Sequence, residues 1–276
     1  MQKLLIFLFL NAILWALPTH SPNRATYFHD DASTFNPCNP CFLWQEALNL
    51  RFAYVGDFVF NRDMEKRENR HRRGDIQTFA ITTNGGAATL NIADWFEFYG
   101  RLGATNFSII TPHRVNGRQS ELFFSPRLSW AIGTHATVWK YHALAFGFAA
   151  EYFRTAAMLD AFLSYQGGRL TYFNDIEKPK YYEWMVACGF SYTFTGPGYN
   201  EFIPHIALSA SEAKMGMHRP TFTNDGTEYD FLNMKSRKMW GYEVGLNWIL
   251  NRKVAAGCEF HFADQKALHL IGEVAF

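Results

Sequence analysis

Ten charged residues stand at odd positions inside or beside apolar runs: Arg51, Asp57, Glu97, Arg101, Arg127, Glu151, Glu183, Glu243, Glu259 and Glu273. Around Glu243 and Asn247, for example, run Trp240, Tyr242, Val244, Leu246, Trp248 and Leu250. Side chains two apart share one face of an extended chain. Charges so placed set the field felt by whatever passes that face, and acidic members outnumber basic ones, which predicts a mild preference for cations. One pair has the residue types of a general base, His261 with Asp264. Three residues apart across a strand end, the two point in divergent directions, and no Ser stands beside them. Nucleophile, phosphate-loop and dinucleotide signatures are missing, since Asn84-Gly85-Gly86 and Gly196-Pro197-Gly198 read as turn signals. The chain is therefore not read as an enzyme.

Four cysteines remain. Cys38-Asn39-Pro40-Cys41 precedes the first apolar run, and Cys188 and Cys258 fall far away on the apolar face of later runs. No second Cys or His pair stands at the spacing of a tetrahedral zinc site, so no metal or cofactor is expected. In an oxidising compartment Cys38 and Cys41 either close on each other or bridge to another chain. Cys188 and Cys258 read as small apolar fillers, with mutual pairing left open.

The elements that carry these residues are strands. Apolar residues alternate with polar ones in segments from Ala47 to Asn61 through to Leu268–Phe276, where His269 and Glu273 oppose an apolar or glycine face. Segments of about ten residues suit the tilted crossing of a bilayer, and closure lets every backbone group find a partner there. The fold class expected is all-β: a transmembrane antiparallel β-barrel of the outer-membrane type with about 12 strands, 10 to 16 being the range. No stretch past the amino terminus approaches the ~18 apolar residues of a spanning helix. Aromatic residues, at 17% of the chain, suit interfacial girdles, and a net charge of +1 argues against nucleic acid as a partner.

Lys3 followed by the apolar run Leu4 to Ala16 reads as a secretory signal within residues 1–21. Residues 22–44 then form a periplasmic segment carrying the two close cysteines, and 45–276 one barrel. Turns and loops are expected at 62–74, 84–86, 111–120, 166–169, 174–180, 195–200, 212–228 and 263–266. Weaker runs at 169–173 and 221–224 could add strands. The first loop is basic, with Lys66, Arg67, Arg70, His71, Arg72 and Arg73 among acidic residues. It could meet anionic lipopolysaccharide, or simply keep a loop in water.

Asn36-Pro37-Cys38-Asn39-Pro40-Cys41, followed by Tyr54-Val55-Gly56-Asp57-Phe58-Val59-Phe60-Asn61-Arg62, resembles the amino-terminal signature of the chlamydial major outer membrane protein family. Leu102-Gly103-Ala104-Thr105, the run Trp130 to Trp139 with Gly133, and Asn233-Met234-Lys235-Ser236-Arg237-Lys238 are similar to later blocks of that family, which also ends in Phe, as Phe276 does here. The resemblance implies a porin-like barrel for small solutes, with Phe276 as its assembly signal, outer-membrane lipid and lipopolysaccharide around it, and assembly into homotrimers. It also implies disulfide links to cysteine-rich envelope proteins. This chain is much shorter than the family's principal member, as a divergent paralogue would be. The expected lumen is water-filled or partly plugged. Against this stand a lumen sealed by opposite charges pairing across it, and an adhesin or envelope scaffold without conductance.

Overall fold

The computed structural model describes residues 48–66, 76–92, 95–112, 119–164, 169–172, 178–198, 200–216, 221–224, 227–230, 233–251 and 253–275. The expected signal segment, Cys38, Cys41, Phe276 and most of the basic loop lie outside the described residues.

In chain order the strands are β1 (Leu48–Arg62), β2 (Met64–Lys66), β3 (Thr78–Ile92), β4 (Phe96–Pro112), β5 (Gln119–Ser125), β6 (Arg127–Tyr141), β7 (Leu144–Ala156), β8 (Met158–Ser164) and β9 (Arg169–Tyr172). They continue with β10 (Lys180–Tyr192), β11 (Phe194–Gly196), β12 (Asn200–Gly216), β13 (Thr221–Asn224), β14 (Thr227–Asp230), β15 (Met234–Ser236), β16 (Trp240–Leu250), β17 (Val254–Phe262) and β18 (Gln265–Ala275). Ten of them close a ring in the order β1, β3, β4, β6, β7, β10, β12, β16, β17, β18 and back to β1, and the pairs between ring neighbours are antiparallel.

The ring thus has ten staves rather than about twelve. Strands do form at 169–172 and 221–224, but β9 extends a flap beyond the wall through β8 and β5, and among the described residues β13 pairs only with β14. Short turns follow β3, β6, β10 and β16 at the end where both described termini lie, and the long connections, after β1, β4, β7 and β12, gather at the opposite end. That asymmetry matches the short periplasmic turns and long extracellular loops of outer-membrane barrels, and the two ends are named accordingly. Only the β17–β18 turn is short on the outer side.

Alternation decides which way each residue faces. From β3 to β18 the ring's odd positions are mostly buried, while even positions such as Leu102, Leu128, Ile206, Trp240 and Tyr242 are exposed on the outer surface. Trp95, Trp139, Tyr141, Tyr192, Phe194 and Phe202 ring the short-turn end, where amphipathic rings meet headgroups. A charge within this apolar belt is costly, so Val186→Arg, at the middle of β10 and 46% exposed, should weaken the barrel by about 2–4 kcal/mol in urea unfolding from lipid vesicles. An unchanged midpoint would contradict the facing assigned to β10.

One expected break, 84–86, runs through as strand, and strands reach into others. Asn84-Gly85-Gly86 lies inside β3, paired with Gly103 and its neighbours of β4, because Gly85 and Gly103 face one another where a side chain would collide with backbone. Strand β12 continues to Gly216, and β1 continues to Arg62 across a bulge between Val59 and Asn61. The bulge reverses the parity, so Arg62 turns inward where the alternation of β1 would send it out.

Candidate functional site: the filled lumen

The ten candidate lumen residues all fall on the inner face. What the ordering of strands adds is their partners. Near the periplasmic end Arg51 of β1 reaches over β3 to pair with Glu97 of β4, and its other amino group stands 3.4 Å from Glu273 of β18. Glu97 also takes His135 Nδ1 at 2.6 Å from the neighbouring β6. At mid-height Arg101 donates to Glu151 at 2.9 Å, and Tyr99 donates to the same carboxylate at 2.8 Å. Asp57 lies 3.4 Å from His269.

Higher up, the inward-turned Arg62 pairs with Glu183 and donates to Ser211 Oγ at 2.7 Å, while Tyr181 donates to Glu183 at 2.6 Å. On the facing arc His205 meets Glu259 at 2.8 Å, and His261 lies between Glu259 at 2.5 Å and Glu243 at 3.5 Å. Arg127 turns to Met158 Sδ. The pair His261 and Asp264 does not act together: Asp264 accepts from Ser211 Oγ and the Gln265 amide, and His261 is held by the two glutamates.

Two glycines make room for these ties. Tyr99, Gly133 and Glu151 form one row across β4, β6 and β7, and a Cβ on Gly133 would lie 2.3 Å from the Tyr99 ring. His205, Gly245 and Glu259 repeat the arrangement across β12, β16 and β17, with the His205 ring 2.3 Å from a Cβ built on Gly245. In each row a side chain crosses over the glycine strand to reach its partner beyond.

Apolar groups fill what the charges leave. Phe79, Phe107, Phe153 and Tyr181 pack against one another with ring centroids 5.2–6.0 Å apart at the outer end, with Met64, Met215 and Met234 in the same cluster. Ile203, Ile249 and Ala255 form a smaller cluster near the periplasmic end. Between the two ends, Asp57, Arg101, Glu151, Glu183, Gln265 and His269 border a cavity of about 30 Å³. That is room for a water or two rather than for a solute.

The sequence thus shows which side chains face inward but not that they neutralise one another. His135, His205, Arg62 and the aromatic cluster at the outer end were missed. Phe79, Phe107 and Tyr181 occupy odd positions, the same parity as the charges, and that was the available signal. The thiols of Cys188 and Cys258 are free, on β10 and β17 with β12 and β16 between them, so the two do not pair with each other.

Residues 2–73 match the family described as Chlamydia major outer membrane protein. Over the whole chain, the major outer membrane porin of serovar E of Chlamydia trachomatis is 23% identical across 398 aligned positions, covering 100% of this chain and 99% of the relative. The resemblance to the chlamydial major outer membrane proteins is borne out. The porin of Chlamydia abortus is 22% identical with 95% of each chain covered. An alignment of 398 positions for a chain of 276 residues means that the relatives carry long insertions which this one lacks. Among solved structures the chain is similar to the β domain of the Bordetella autotransporter BrkA, at TM-score 0.44 and 10% identity, with 83% of this chain and 99% of that one covered. It is also similar to an outer membrane channel from Pseudomonas putida, at TM-score 0.39 and 11% identity, with 88% and 100% covered. The chain is an outer-membrane β-barrel that is similar along its whole length to major outer membrane porins.

Proposed function

We propose that the chain is a porin-like channel, filled at rest by its own side chains, for passive diffusion of small solutes across the outer membrane when those side chains shift. The observation that carries this reading is a transverse column of charged and hydrogen-bonding side chains, from Arg51 and Glu97 up to Arg62 and Glu183, inside a closed ring that aligns along its whole length with named porins. Ion pairs that span a lumen can exchange partners and admit water, which a hydrocarbon-filled interior does not allow. Its bore is small because ten strands leave little width beyond what side chains occupy. Of the ten candidate lumen residues seven are acidic and three basic, which favours cations.

Planar-bilayer recording of the refolded barrel under asymmetric salt tests this. Small stepwise currents with a cation-directed reversal potential are expected; anion selectivity would contradict the charge argument. A second reading, a non-conducting scaffold or adhesin, draws on the aromatic cluster that closes the outer end. A folded, heat-modifiable barrel that stays electrically silent would favour it. Lipopolysaccharide contact through the basic loop, trimers and disulfide links to envelope proteins through Cys38 or Cys41 belong to the same proposal. Non-reducing electrophoresis of Cys38→Ser and Cys41→Ser variants addresses the last of these.

A further inference from the structure

Inside the outer half of the lumen, β16 and β17 bring Glu243, Glu259 and His261 together. Glu243 and His261 are directly paired across the two strands, and Glu259, two residues before His261, shares its face. One ligand atom from each lies within 4.8 Å of the others, and all three residues are buried. Oxygen and nitrogen ligands bind divalent transition-metal ions at about 2.0–2.2 Å, so modest closure of this triangle suffices to place one ion at bonding distance from all three.

Glu243 supplies the independent observation. It is 1% exposed, and neither of its carboxylate oxygens accepts a hydrogen bond from any of the described residues; its ion pair is with His261 Nδ1 at 3.5 Å. A buried carboxylate without donors is costly. Glu259, by contrast, is well held, by His205 at 2.8 Å, which in turn meets Asn247 Nδ2 at 3.2 Å. Ligands fixed in this way from behind are characteristic of sites that hold a metal firmly. The mid-lumen cavity reaches the cluster through Gln265 and His269, the His269 ring standing 4.1 Å from that of His261.

We propose that Glu243, Glu259 and His261 form a binding site for one first-row divalent transition-metal ion within the lumen. One imidazole with two carboxylates suits Zn²⁺, Mn²⁺ or Fe²⁺ rather than Cu(I), which seeks sulfur. The opposing arrangement is a protonated His261 serving both glutamates without any metal. The two differ in a direct measurement.

The folded full chain in detergent, stripped of metal and with its thiols alkylated, is dialysed against ZnCl₂ at pH 7. One equivalent should bind, and Glu243→Gln and His261→Gln should each weaken binding at least tenfold, while His142→Gln, at an exposed turn, leaves it unchanged. Since ligands must shed protons, affinity should also fall as the pH drops below about 6. No saturable Zn²⁺ binding by the unaltered chain, or equal binding by both Gln variants, overturns the proposal. Should a Gln variant fail to fold, the unaltered chain decides: excess Zn²⁺ should raise its thermal unfolding midpoint, and no rise overturns the site.

Discussion

Arg51→Ala should destabilise the barrel by about 3–5 kcal/mol and at the same time enlarge its conductance, because the guanidinium is fully buried between Glu97 and Glu273. Removing it leaves two carboxylates facing each other across a space from which water is excluded, with His135 as the remaining basic partner of Glu97. Breaking one side of such a group costs more than the group contributes as a whole, so the double variant Arg51→Ala with Glu97→Gln should recover part of the loss. Urea unfolding in lipid vesicles, followed by heat-modifiable electrophoretic mobility, measures the first effect. Single-channel recording measures the second, with the larger current more cation-selective than before. A loss under about 1 kcal/mol would mean that water already reaches Arg51 and that the lumen is open at this height.

The second large effect concerns Gly85. An added Cβ there would lie 2.1 Å from the Leu102 carbonyl oxygen and 2.5 Å from Gly103 Cα, so Gly85→Ala must force β3 and β4 apart. Overpacking of this kind typically costs about 1–3 kcal/mol. Here the obstacle is backbone, which cannot swing aside as a side chain does, so the upper end of that range or a failure to close the ring is expected. Gly86 is the internal control. A Cβ on it meets only the Ala53 carbonyl oxygen at 3.7 Å, and Gly86→Ala should change stability by no more than about 0.5 kcal/mol. Refolding yield and unfolding midpoint of the two neighbours check the contrast; equal behaviour would refute the close approach of β3 and β4.

Gly85 also shows where sequence reading stops. Asn84-Gly85-Gly86 has the composition of a turn, and nothing local distinguishes a glycine that bends the chain from one that lets two strands touch. The distinction lies in Gly103 on another strand. Facing, by contrast, was legible over most of the ring, since period two is a local property and the parity holds from β3 to β18 except past the bulge after Thr137 in β6, where Trp139 and Tyr141 turn outward. It failed at Arg62, where a bulge after Val59 shifts the register and delivers the cation that neutralises Glu183. The number of staves was uncertain for a related reason. Alternation marks the segments at 169–172 and 221–224 as strands, and only the pairing partners reveal that neither belongs to the ring. Glu97 and Arg51 are 46 residues apart, so their neutralisation is a property of ring closure rather than of either segment.

The rows through Gly133 and Gly245 bear on how the barrel comes apart. Tyr99 and Glu151 hold β4 to β7 across β6, and His205 and Glu259 hold β12 to β17 across β16. The bridged strand contributes no atom to the bond that spans it, yet it cannot leave without its neighbours rearranging around the gap. Fraying one stave at a time is therefore disfavoured for β6 and β16, and their amides should exchange with solvent deuterium together with those of the strands on either side, in blocks of three. The wall behaves less like a row of zippers than like a cask, in which hoops pass over some staves to grip the next.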